Sequence, residues 1–488
     1  MNRNIGQIIA EIDSAVLKGS PDTACGRLCI DSRQVGEGDA FVALRGTRID
    51  GHAFIEAVLD AGATVIVAET EPQAALPEGV AWVRVTDSSK AAGLMAAAWY
   101  EHPSRKLKLT GVTGTNGKTT AVSLMFGLFQ ALGYRCGMLS TIGNRIGDQE
   151  FEATHTTPDA IRIQEMLSRM VEARCTHAFM EVSSHSAVQN RIEGLDFALA
   201  LFTNITHDHL DYHGTFDKYI LAKKSFFDRL GSDAVALVNA DDRHAGVMVQ
   251  NTAAEVQRYG LFHDARYRAR ILENSFDGMH LQIDGHDFYS PLIGSFNASN
   301  LLAAYAAGCA LEEEPTRLLV ELSRLGPPRG RFDYVRSDRG ITGIVDYAHS
   351  PDALEHVLET LRDIRRAGQK IITVVGCGGD RDRSKRPVMA GLAARLSDRA
   401  ILTSDNPRTE DPEAILDEMM DGLRIEERLN LLRITDRTEA IRAACMLASP
   451  GDLVLVAGKG HETYQEIAGV RHPFDDRAQL CIHLQPAL

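Results

Sequence analysis

Short apolar runs alternate with longer amphipathic stretches along most of the 488-residue chain. The runs are rich in β-branched residues, and runs of this kind predict buried strands of parallel sheets, with crossover helices formed by the stretches between them. The clearest predicted strands are 63–68, 107–112, 371–375 and 453–457. The clearest predicted helices are 119–132, 158–172, 299–310 and 440–448.

Two breaks in this alternation predict domain boundaries. The segment 100–104 precedes one apolar run, and the Pro/Gly cluster at 326–331 ends a helical region. The length suits about three domains of roughly 150 residues each. We therefore predict an α/β protein with a smaller N-terminal domain (1–100), a central domain with a mostly parallel sheet (101–332) and a Rossmann-like C-terminal domain (333–488).

Composition and charge exclude several classes of function. The chain is 44% hydrophobic and carries a net charge of −14, which argues against a nucleic-acid partner because such binding needs a basic field. It contains no run of 18 apolar residues and no secretory signal at its start, so we expect no membrane association. The eight cysteines form no C-x-x-C pair, which favours a cytoplasmic setting without structural zinc.

A glycine-rich loop, GVTGTNGKTT at 111–120, lies between a predicted strand and a predicted helix. Glycines let backbone N–H groups approach phosphate oxygens, Lys118 can reach the terminal phosphates and Thr119 can meet Mg²⁺. Five residues, rather than the usual four, separate Gly111 from Gly117. The alternative is a plain glycine turn, but Lys-Thr at the helix entry favours ATP. The predicted ATP-binding residues of the loop are Gly114, Thr115, Asn116, Gly117, Lys118, Thr119 and Thr120.

Two polar segments follow that could support phosphate chemistry. Glu181 comes at the end of an apolar stretch, and the segment 203–214 contains three His and two Asp. Mg²⁺ prefers oxygen ligands, so Glu181 and Thr119 are candidate metal ligands, while a transition-metal site or simple turn caps remain alternatives for the His/Asp segment. The next helix, 216–227, carries Lys223 and Lys224, and spacing alone favours a solvated position for both.

The loop form G-x-x-G-T-N-G-K-T-T resembles that of the Mur ligases, the ATP-dependent enzymes that build the peptide of bacterial peptidoglycan. Folylpolyglutamate synthases have a related loop. The resemblance covers essentially the whole chain and implies that Lys223 is carbamylated and ligates a second Mg²⁺. The metal ligands that it implies are Thr119, Glu181, His209 and carbamylated Lys223, and the catalytic residues are Lys118, Lys223, Glu181 and His209.

Further matches to the family fall in all three predicted domains. On the ATP side they are Asn297, Asn300, Arg331 and Asp346. For a UDP-sugar substrate they are Ile30, Ser32, Thr47, Arg48, Ile49, Thr156, Thr157, Ser183, Gln189 and Arg191. For the amino-acid substrate they are Arg381, Asp405, Asn406, Pro407, Arg408, Gly458 and Glu462.

The segment 405–408, Asp-Asn-Pro-Arg, bears on which amino acid is used. Family members that add meso-diaminopimelate carry this segment, and those that add lysine lack its Arg. Diaminopimelate has a carboxylate at its far end that the planar guanidinium of Arg408 can pair with, whereas lysine has none. By itself the segment would be a type I turn with a surface Arg.

The resemblance therefore implies ligation of meso-diaminopimelate to UDP-N-acetylmuramoyl-L-alanyl-D-glutamate through an acyl phosphate, with ATP and Mg²⁺, in a monomer whose substrates are small molecules. Three alternatives stay open at this point. They are a related ligase that adds lysine, a folylpolyglutamate synthase and a non-catalytic, nucleotide-dependent switch or scaffold.

Overall fold

The structure is a computed structural model that describes residues 3–46, 49–72, 75–152, 156–208 and 210–485. Three large sheets follow one another along the chain, and each is mostly parallel, as the alternation of runs predicts. Within the described residues, no helix has the length and apolar character needed to cross a membrane.

The N-terminal part contains a five-stranded sheet in the order β2-β7-β6-β5-β4, with β2 antiparallel to its neighbour and the others parallel. The strands are β1 Arg3–Asn4, β2 Val16–Lys18, β3 Ala24–Cys25, β4 Leu28–Cys29, β5 Ala40–Val42, β6 Val65–Ala68 and β7 Ala81–Arg84. The helices are α1 Ile5–Ile8, α2 Ile55–Asp60 and α3 Ser88–Trp99, with 3-10 turns at Ser32–Gln34, Gly51–Phe54 and Pro103–Lys106.

The central part contains an eleven-stranded sheet in the order β11-β10-β9-β12-β8-β13-β14-β15-β16-β17-β18. Its strands are β8 Lys108–Thr113, β9 Cys136–Ser140, β10 Gly143–Ile146, β11 Gln149–Phe151, β12 His177–Glu181, β13 Leu199–Phe202, β14 Val235–Asn239, β15 Glu255–Gly260, β16 Tyr267–Ser275, β17 Gly278–Ile283 and β18 His286–Ser290. Its helices are α4 Lys118–Ala131, α5 Ala160–Glu172, α6 Ser184–Val188, α7 Leu210–His213, α8 Phe216–Phe227, α9 Ala245–Met248, α10 Ser295–Ala310 and α11 Pro315–Leu322.

The C-terminal part contains a six-stranded sheet in the order β19-β20-β24-β21-β22-β23, parallel except for β19, and a separate hairpin of β25 and β26. Its strands are β19 Asp333–Arg336, β20 Thr342–Asp346, β21 Ile371–Val375, β22 Arg399–Leu402, β23 Leu431–Arg433, β24 Leu453–Ala457, β25 Tyr464–Ile467 and β26 Val470–Pro473. Its helices are α12 Pro351–Ile364, α13 Lys385–Leu396, α14 Pro412–Met420, α15 Ile425–Arg428, α16 Arg437–Leu447 and α17 Asp476–Leu484.

The predicted elements are confirmed, and the largest boundary error concerns α10. This helix begins at Ser295 rather than at residue 299. Gly294, directly before it, adopts φ +96 and turns the chain into the helix. Likewise α16 begins at Arg437, after Asp436 accepts a hydrogen bond from the Glu439 backbone N–H and caps the helix. Both faces of the central sheet are covered by apolar side chains, with α4 and α10 on one face and α5 and α8 on the other.

Candidate functional site

Three loops that carry predicted site residues leave the same edge of the central sheet. Strands β12, β8 and β13 are adjacent and parallel, so their carboxyl ends lie side by side. Glu181 ends β12, the phosphate loop follows β8, and the polar segment from Thr203 onward follows β13. In open α/β sheets this edge is where ligands bind.

Two glycines allow the phosphate loop to pass close to its neighbours. Gly114 has φ +154, and a Cβ there would lie 1.9 Å from the Thr203 hydroxyl oxygen. Gly117 has φ +86 at the start of α4, and a Cβ there would lie 2.7 Å from Asn300 Oδ1. A side chain at either position would force the loop apart, so the glycine pattern read from the sequence has a steric cause here.

Two lysines meet at one carbonyl of this loop. Lys118 Nζ donates to the carbonyl oxygens of Gly114 at 2.8 Å and Thr115 at 2.9 Å, and Lys223 Nζ donates to the same Gly114 oxygen at 2.8 Å. Burial lowers the pKa of Lys118. Burial, reinforced by the charge of Lys118, lowers the pKa of Lys223 well below its usual value.

Helix α8 distinguishes Lys223 from its neighbour Lys224. Lys223 is 2% exposed and points into the phosphate loop, with its ammonium 4.8 Å from the centre of the Tyr219 ring. Lys224 is also buried but forms an ion pair with Asp228 at 2.5 Å, one helical turn further on. The interpretation that both lysines lie on a solvated face is therefore wrong, because α8 packs closely on α6 and both side chains are covered.

Glu181 is held in place by four hydrogen bonds. Its carboxylate accepts from Thr119 Oγ1 at 3.0 and 3.1 Å, from Ser140 Oγ at 2.6 Å and from the Thr141 backbone N–H at 2.7 Å. The side chain is 1% exposed. A carboxylate and a hydroxyl oxygen at this distance fit a Mg²⁺ ion, which takes one or two protein oxygens and completes its shell with phosphate and water. The sequence reasoning missed Ser140 and Thr141, which carry no motif.

The remaining predicted metal ligand, His209, lies outside the described residues. Among the residues that the structure does describe, no three or more His, Cys, Asp or Glu side chains are grouped so as to hold a metal ion. Asp208, next to it in sequence, acts electrostatically on both Lys118 and Lys223.

Residues of the Pro/Gly cluster at 326–331 and of the C-terminal part also contact this site. Arg331 donates from Nη2 to Thr119 Oγ1 at 3.0 Å, and its guanidinium lies 4.6 Å from the centre of the Tyr347 ring. Asp346 accepts from the Phe332 backbone N–H at 2.8 Å, and burial raises the pKa of its carboxyl group. Arg331 is thus a contact between domains rather than a solvated linker charge.

A second contact between domains was not predicted. Asp352, in the first turn of α12, accepts from Asn116 Nδ2 at 2.8 Å and from Thr206 Oγ1 at 2.9 Å. The carboxylate joins the C-terminal part to both the phosphate loop and the segment after β13. Asp352 lies six residues after the predicted Asp346, and only the packing of α12 reveals its partners.

The two asparagines of α10 lie beside the phosphate loop. Asn297 Nδ2 donates to the Ile293 carbonyl at 2.8 Å, and Asn300 Nδ2 donates to Asn297 Oδ1 at 3.1 Å. Both are buried. Their mutual hydrogen bond fixes the orientation of both amides, which leaves Asn300 Oδ1 against Gly117.

Five of the predicted UDP-sugar residues form one cluster next to Glu181. Thr157 Oγ1 donates to the Glu181 carbonyl at 2.9 Å, and Thr141 Oγ1 donates to Thr156 Oγ1 at 3.1 Å. Arg191 donates to the Thr157 carbonyl at 2.7 Å and to Gln189 Oε1 at 2.6 and 3.0 Å. Ser183 caps α6 and receives a hydrogen bond from Thr157 Oγ1 at 3.4 Å.

The N-terminal candidates lie apart from this cluster. Ile30 follows the carboxyl end of β4, and Ser32 opens a 3-10 turn capped by Asp31. Ile49 is 63% exposed. Thr47 and Arg48 fall outside the described residues. Within the part of the chain that the structure describes, no hydrogen bond links Ile30 or Ser32 to the cluster around Thr157.

The predicted amino-acid segments come together at the corresponding edge of the C-terminal sheet. Strands β24, β21 and β22 are adjacent and parallel, and the segments 458–462, 376–381 and 405–408 follow their carboxyl ends. Glycines permit the close approach of these loops: a Cβ at Gly379 would lie 1.9 Å from the Pro407 carbonyl oxygen, and one at Gly458 would lie 2.5 Å from Asp405 Oδ2. The three segments lie in contact with one another, and we call the region between them the predicted amino-acid pocket.

Arg408 is partly buried at the rim of this pocket. It adopts φ +52, which is uncommon for a residue other than glycine, and its Nη1 donates to the Gly379 carbonyl at 2.6 Å. Its backbone pairs with the hairpin through Glu466 and Ala468. Arg381 is exposed and has no hydrogen bond or ion pair with any other described residue. The surface-turn interpretation of 405–408 is wrong, since Asp405, Asn406 and Pro407 are buried.

The other end of the pocket is acidic. Asn406 Nδ2 donates to Glu462 Oε2 at 2.8 Å, and Lys459 Nζ donates to the same oxygen at 2.8 Å. Asp405 lies within 3.9 Å of Lys459. Cationic side chains at one end and carboxylates at the other suit a ligand with both ammonium and carboxylate groups. The sequence predicted Gly458 and Glu462 as site residues but gave no role to Lys459, which follows Gly458 directly.

Three family models match successive parts of the chain. They are "Mur ligase family, catalytic domain" at residues 27–100, "Mur ligase middle domain" at 112–308 and "Mur ligase, glutamate ligase domain" at 330–460.

Relatives match over nearly the whole length. UDP-N-acetylmuramoyl-L-alanyl-D-glutamate–2,6-diaminopimelate ligases of Cytophaga hutchinsonii and Bacteroides fragilis are 52% and 49% identical. These matches cover 97% of this chain in both cases, with 97% of the first relative and 98% of the second. A solved structure of a ligase with the same name aligns with a TM-score of 0.70, 35% identity and 99% coverage of both chains.

Proposed function

The chain belongs to the Mur ligase family, and on that premise we propose that it joins 2,6-diaminopimelate to UDP-N-acetylmuramoyl-L-alanyl-D-glutamate in peptidoglycan precursor synthesis. ATP is consumed and ADP is released. The observation that carries the choice of amino acid is the pocket between Arg408 and Glu462, which offers opposite charges at its two ends. Relatives named for this reaction match 97% of the chain.

The reaction consists of two transfers. The terminal phosphoryl group of ATP passes to the free side-chain carboxylate of the D-glutamate, which gives an acyl phosphate and ADP. An amine of diaminopimelate then attacks the acyl carbon, the C–O bond to phosphate breaks, and the amine loses a proton as the amide forms. Such chemistry depends on positioning and on charge stabilisation rather than on a covalent nucleophile.

The phosphate loop supplies the charge stabilisation. Lys118 is held over the loop by the Gly114 and Thr115 carbonyls, where an incoming phosphate can replace these weaker partners. Thr119 and Glu181 would hold Mg²⁺, which would supply positive charge to neutralise the phosphate oxygens. Arg331 lies at the boundary with the C-terminal part, where it contacts Thr119 and the Tyr347 ring, and it places a guanidinium next to the position of the same phosphates.

We assign Lys223, rather than Lys224, as the carbamylated lysine. Carbon dioxide reacts with a neutral amine, and burial lowers the pKa of Lys223, which makes that form more accessible than in an exposed lysine. Lys224, by contrast, forms an ion pair with Asp228. The carbamate would replace a buried cation with an anion next to Lys118 at the phosphate loop, where it could ligate a second Mg²⁺. Carbon-13 NMR of protein equilibrated with labelled bicarbonate tests this, and a carbamate signal that survives Lys223→Ala would contradict it.

The remaining roles follow from position. Thr156, Thr157, Ser183, Gln189 and Arg191 bind the muramoyl peptide next to the acceptor carboxylate, and Ile30, Ser32 and Ile49 bind the nucleotide end. We retain 1–100, 101–332 and 333–488 as the three domains, because the three large sheets share no strand. We also propose a monomer in the cytoplasm, where the eight free cysteines would stay reduced.

The experiment that tests the function is a substrate panel. ADP release is measured with purified protein, ATP, Mg²⁺ and the UDP-muramoyl dipeptide, with meso-diaminopimelate, its LL isomer, L-lysine or no amino acid added. We expect release only with diaminopimelate and fastest with the meso isomer. Equal rates with lysine would contradict the assignment. ATP turnover that no substrate stimulates would instead favour a nucleotide-dependent switch.

A further inference from the structure

Lys459 is a fully buried lysine that no step of the proposed reaction uses. It follows β24 and lies between Gly458 and Glu462, at the acidic end of the amino-acid pocket. A lysine is rarely buried unless its charge is paired, so its partners indicate what it is for.

Lys459 connects the loop after β24 to the loop after β22. Its Nζ donates to Glu462 Oε2 at 2.8 Å and to Asn406 Oδ1 at 3.0 Å, and it lies 3.9 Å from Asp405 Oδ1. The Asn406 amide is oriented on both sides, because its oxygen also accepts from the Glu466 backbone N–H at 2.9 Å and its nitrogen donates to Glu462. Three side chains therefore form a closed triangle.

The hydrogen bonds of the triangle involve only one of the two carboxylate oxygens of Glu462. Oε2 accepts two hydrogen bonds, from Lys459 and Asn406, whereas Oε1 accepts none from the residues that the structure describes. A carboxylate fixed through one oxygen cannot rotate freely, so the second oxygen keeps one direction. We propose that Lys459 is a positioning residue that fixes Glu462 so that Oε1 receives an ammonium group of the amino-acid substrate; this rests on the proposed function.

Charge supports the same role. Asp405 and Glu462 bring two carboxylates to one buried end of the pocket, and Lys459 offsets one of them. One net negative charge is left for the ammonium of the ligand. Without Lys459, the two neighbouring carboxylates would repel each other, and Glu462 would lose the contact that fixes its direction.

The main test is the variant Lys459→Met, which keeps the length of the side chain but removes all three donors. Loss of a buried hydrogen bond to a charged group corresponds to roughly a 10- to 100-fold rise in the KM for diaminopimelate. The KM for ATP should stay within about 2-fold, because the triangle does not touch the phosphate loop. Steady-state ADP release with each substrate varied in turn measures both values.

Thr373→Val is the matched control for a general loss of stability in this part of the chain. Thr373 is fully buried in β21, and its hydroxyl lies 2.7 Å from Ser397 Oγ, away from the pocket. We expect this variant to unfold at lower urea concentration with an unchanged KM for diaminopimelate. If Lys459→Met does not fold, Lys459→Gln keeps a donor and should still raise that KM by about 10-fold.

A double-mutant cycle with Glu462→Gln separates positioning from simple tethering of two loops. If Lys459 acts through Glu462, the double variant should lose no more than the worse single variant. Multiplicative losses, an unchanged KM for diaminopimelate, or equal rises in the KM of both substrates would overturn the proposal. A wild-type protein without diaminopimelate-dependent ADP release would instead overturn the proposed function.

Discussion

The phosphate loop and the amino-acid pocket lie at the carboxyl edges of two parallel sheets, yet they satisfy their buried cations differently. At the phosphate loop, Lys118 and Lys223 donate to the Gly114 carbonyl and form no ion pair with a described residue. In the amino-acid pocket, Lys459 is paired with Glu462, and nearby Arg386 is paired with Glu410 and Glu418.

The difference reflects what each region binds. A lysine that donates to a backbone carbonyl makes a weaker hydrogen bond than one that donates to a carboxylate, so an incoming phosphate, or carbon dioxide reacting with the amine, can replace that contact at small cost. The charge of a lysine that is paired with a carboxylate is compensated within the protein, so such a lysine can only position other groups. Arg437 and Asp476 are the extreme case, because they form a fully buried ion pair at 2.8 Å in which each charge compensates the other.

We expect the largest loss of activity from a variant that removes a buried lysine at the phosphate loop. Lys223→Ala takes away both the cation and the site of the proposed carbamate, and we expect activity to fall by about 100- to 1000-fold or more. Small carboxylates such as acetate or formate should restore part of it, because they can occupy the vacated anion position.

Lys224→Ala is the matched control on the same helix. It removes a buried lysine that is already paired with Asp228, so activity should change far less. If Lys224→Ala abolishes activity and Lys223→Ala does not, the assignment on α8 is off by one residue.

A smaller and more selective effect is expected at the rim of the amino-acid pocket. Arg408→Ala removes the guanidinium that can pair with the far carboxylate of diaminopimelate, so the KM for this substrate should rise by roughly 10- to 100-fold. The KM for ATP should hardly change. Initial-rate measurements with each substrate varied provide the two values.

Arg399→Ala provides the comparison at the far end of the strand that leads to the Arg408 loop. Arg399 begins β22 at the opposite end and is exposed, where it contacts Asn430. We expect wild-type kinetics from this variant. Equal rises in both KM values for Arg408→Ala would refute a role in selecting the amino acid.

We expect the smallest effect on the acid stability that the ion pairs of Arg386 with Glu410 and Glu418 provide. Arg386 holds the pKa of the Glu410 carboxyl at about 2, below its ordinary value of 4.5. Because the folded-state pKa is depressed, this contribution to stability is present above pH 4.5 and is lost as the pH falls toward 2. Urea unfolding at pH 5.5 and pH 3 should show that Glu410→Gln loses less stability between these two pH values than the wild type does. An identical loss in both proteins would mean that the pair contributes nothing measurable.

Much of the fold was predictable because it depends on local pattern. Apolar runs such as 371–375 and 453–457 became strands of the parallel sheets, and the glycines at 114 and 117 occupy backbone positions that only glycine fits. The family motifs also predicted which segments carry the site. These signals are short-range, so a single sequence is enough to read them.

Partners across distant segments were not predictable in this way. Ser140 and Thr141 hold Glu181, Asp352 joins two domains, and Lys459 fixes Glu462, yet none of these residues stands out in the sequence. Lys224 shows the converse, since its spacing favours solvent but its side chain is buried and paired with Asp228.

The sequence by itself determined the elements, the phosphate loop and the candidate amino-acid segments, because backbone conformation and hydrophobic period are local properties. Only the tertiary structure decided which cations are paired and which are left for a ligand. That outcome depends on strand order: β12, β8 and β13 in one sheet, and β24, β21 and β22 in the other, bring loops together from residues far apart in the chain. Burial then lowers the local dielectric, so the charge next to each lysine determines its role.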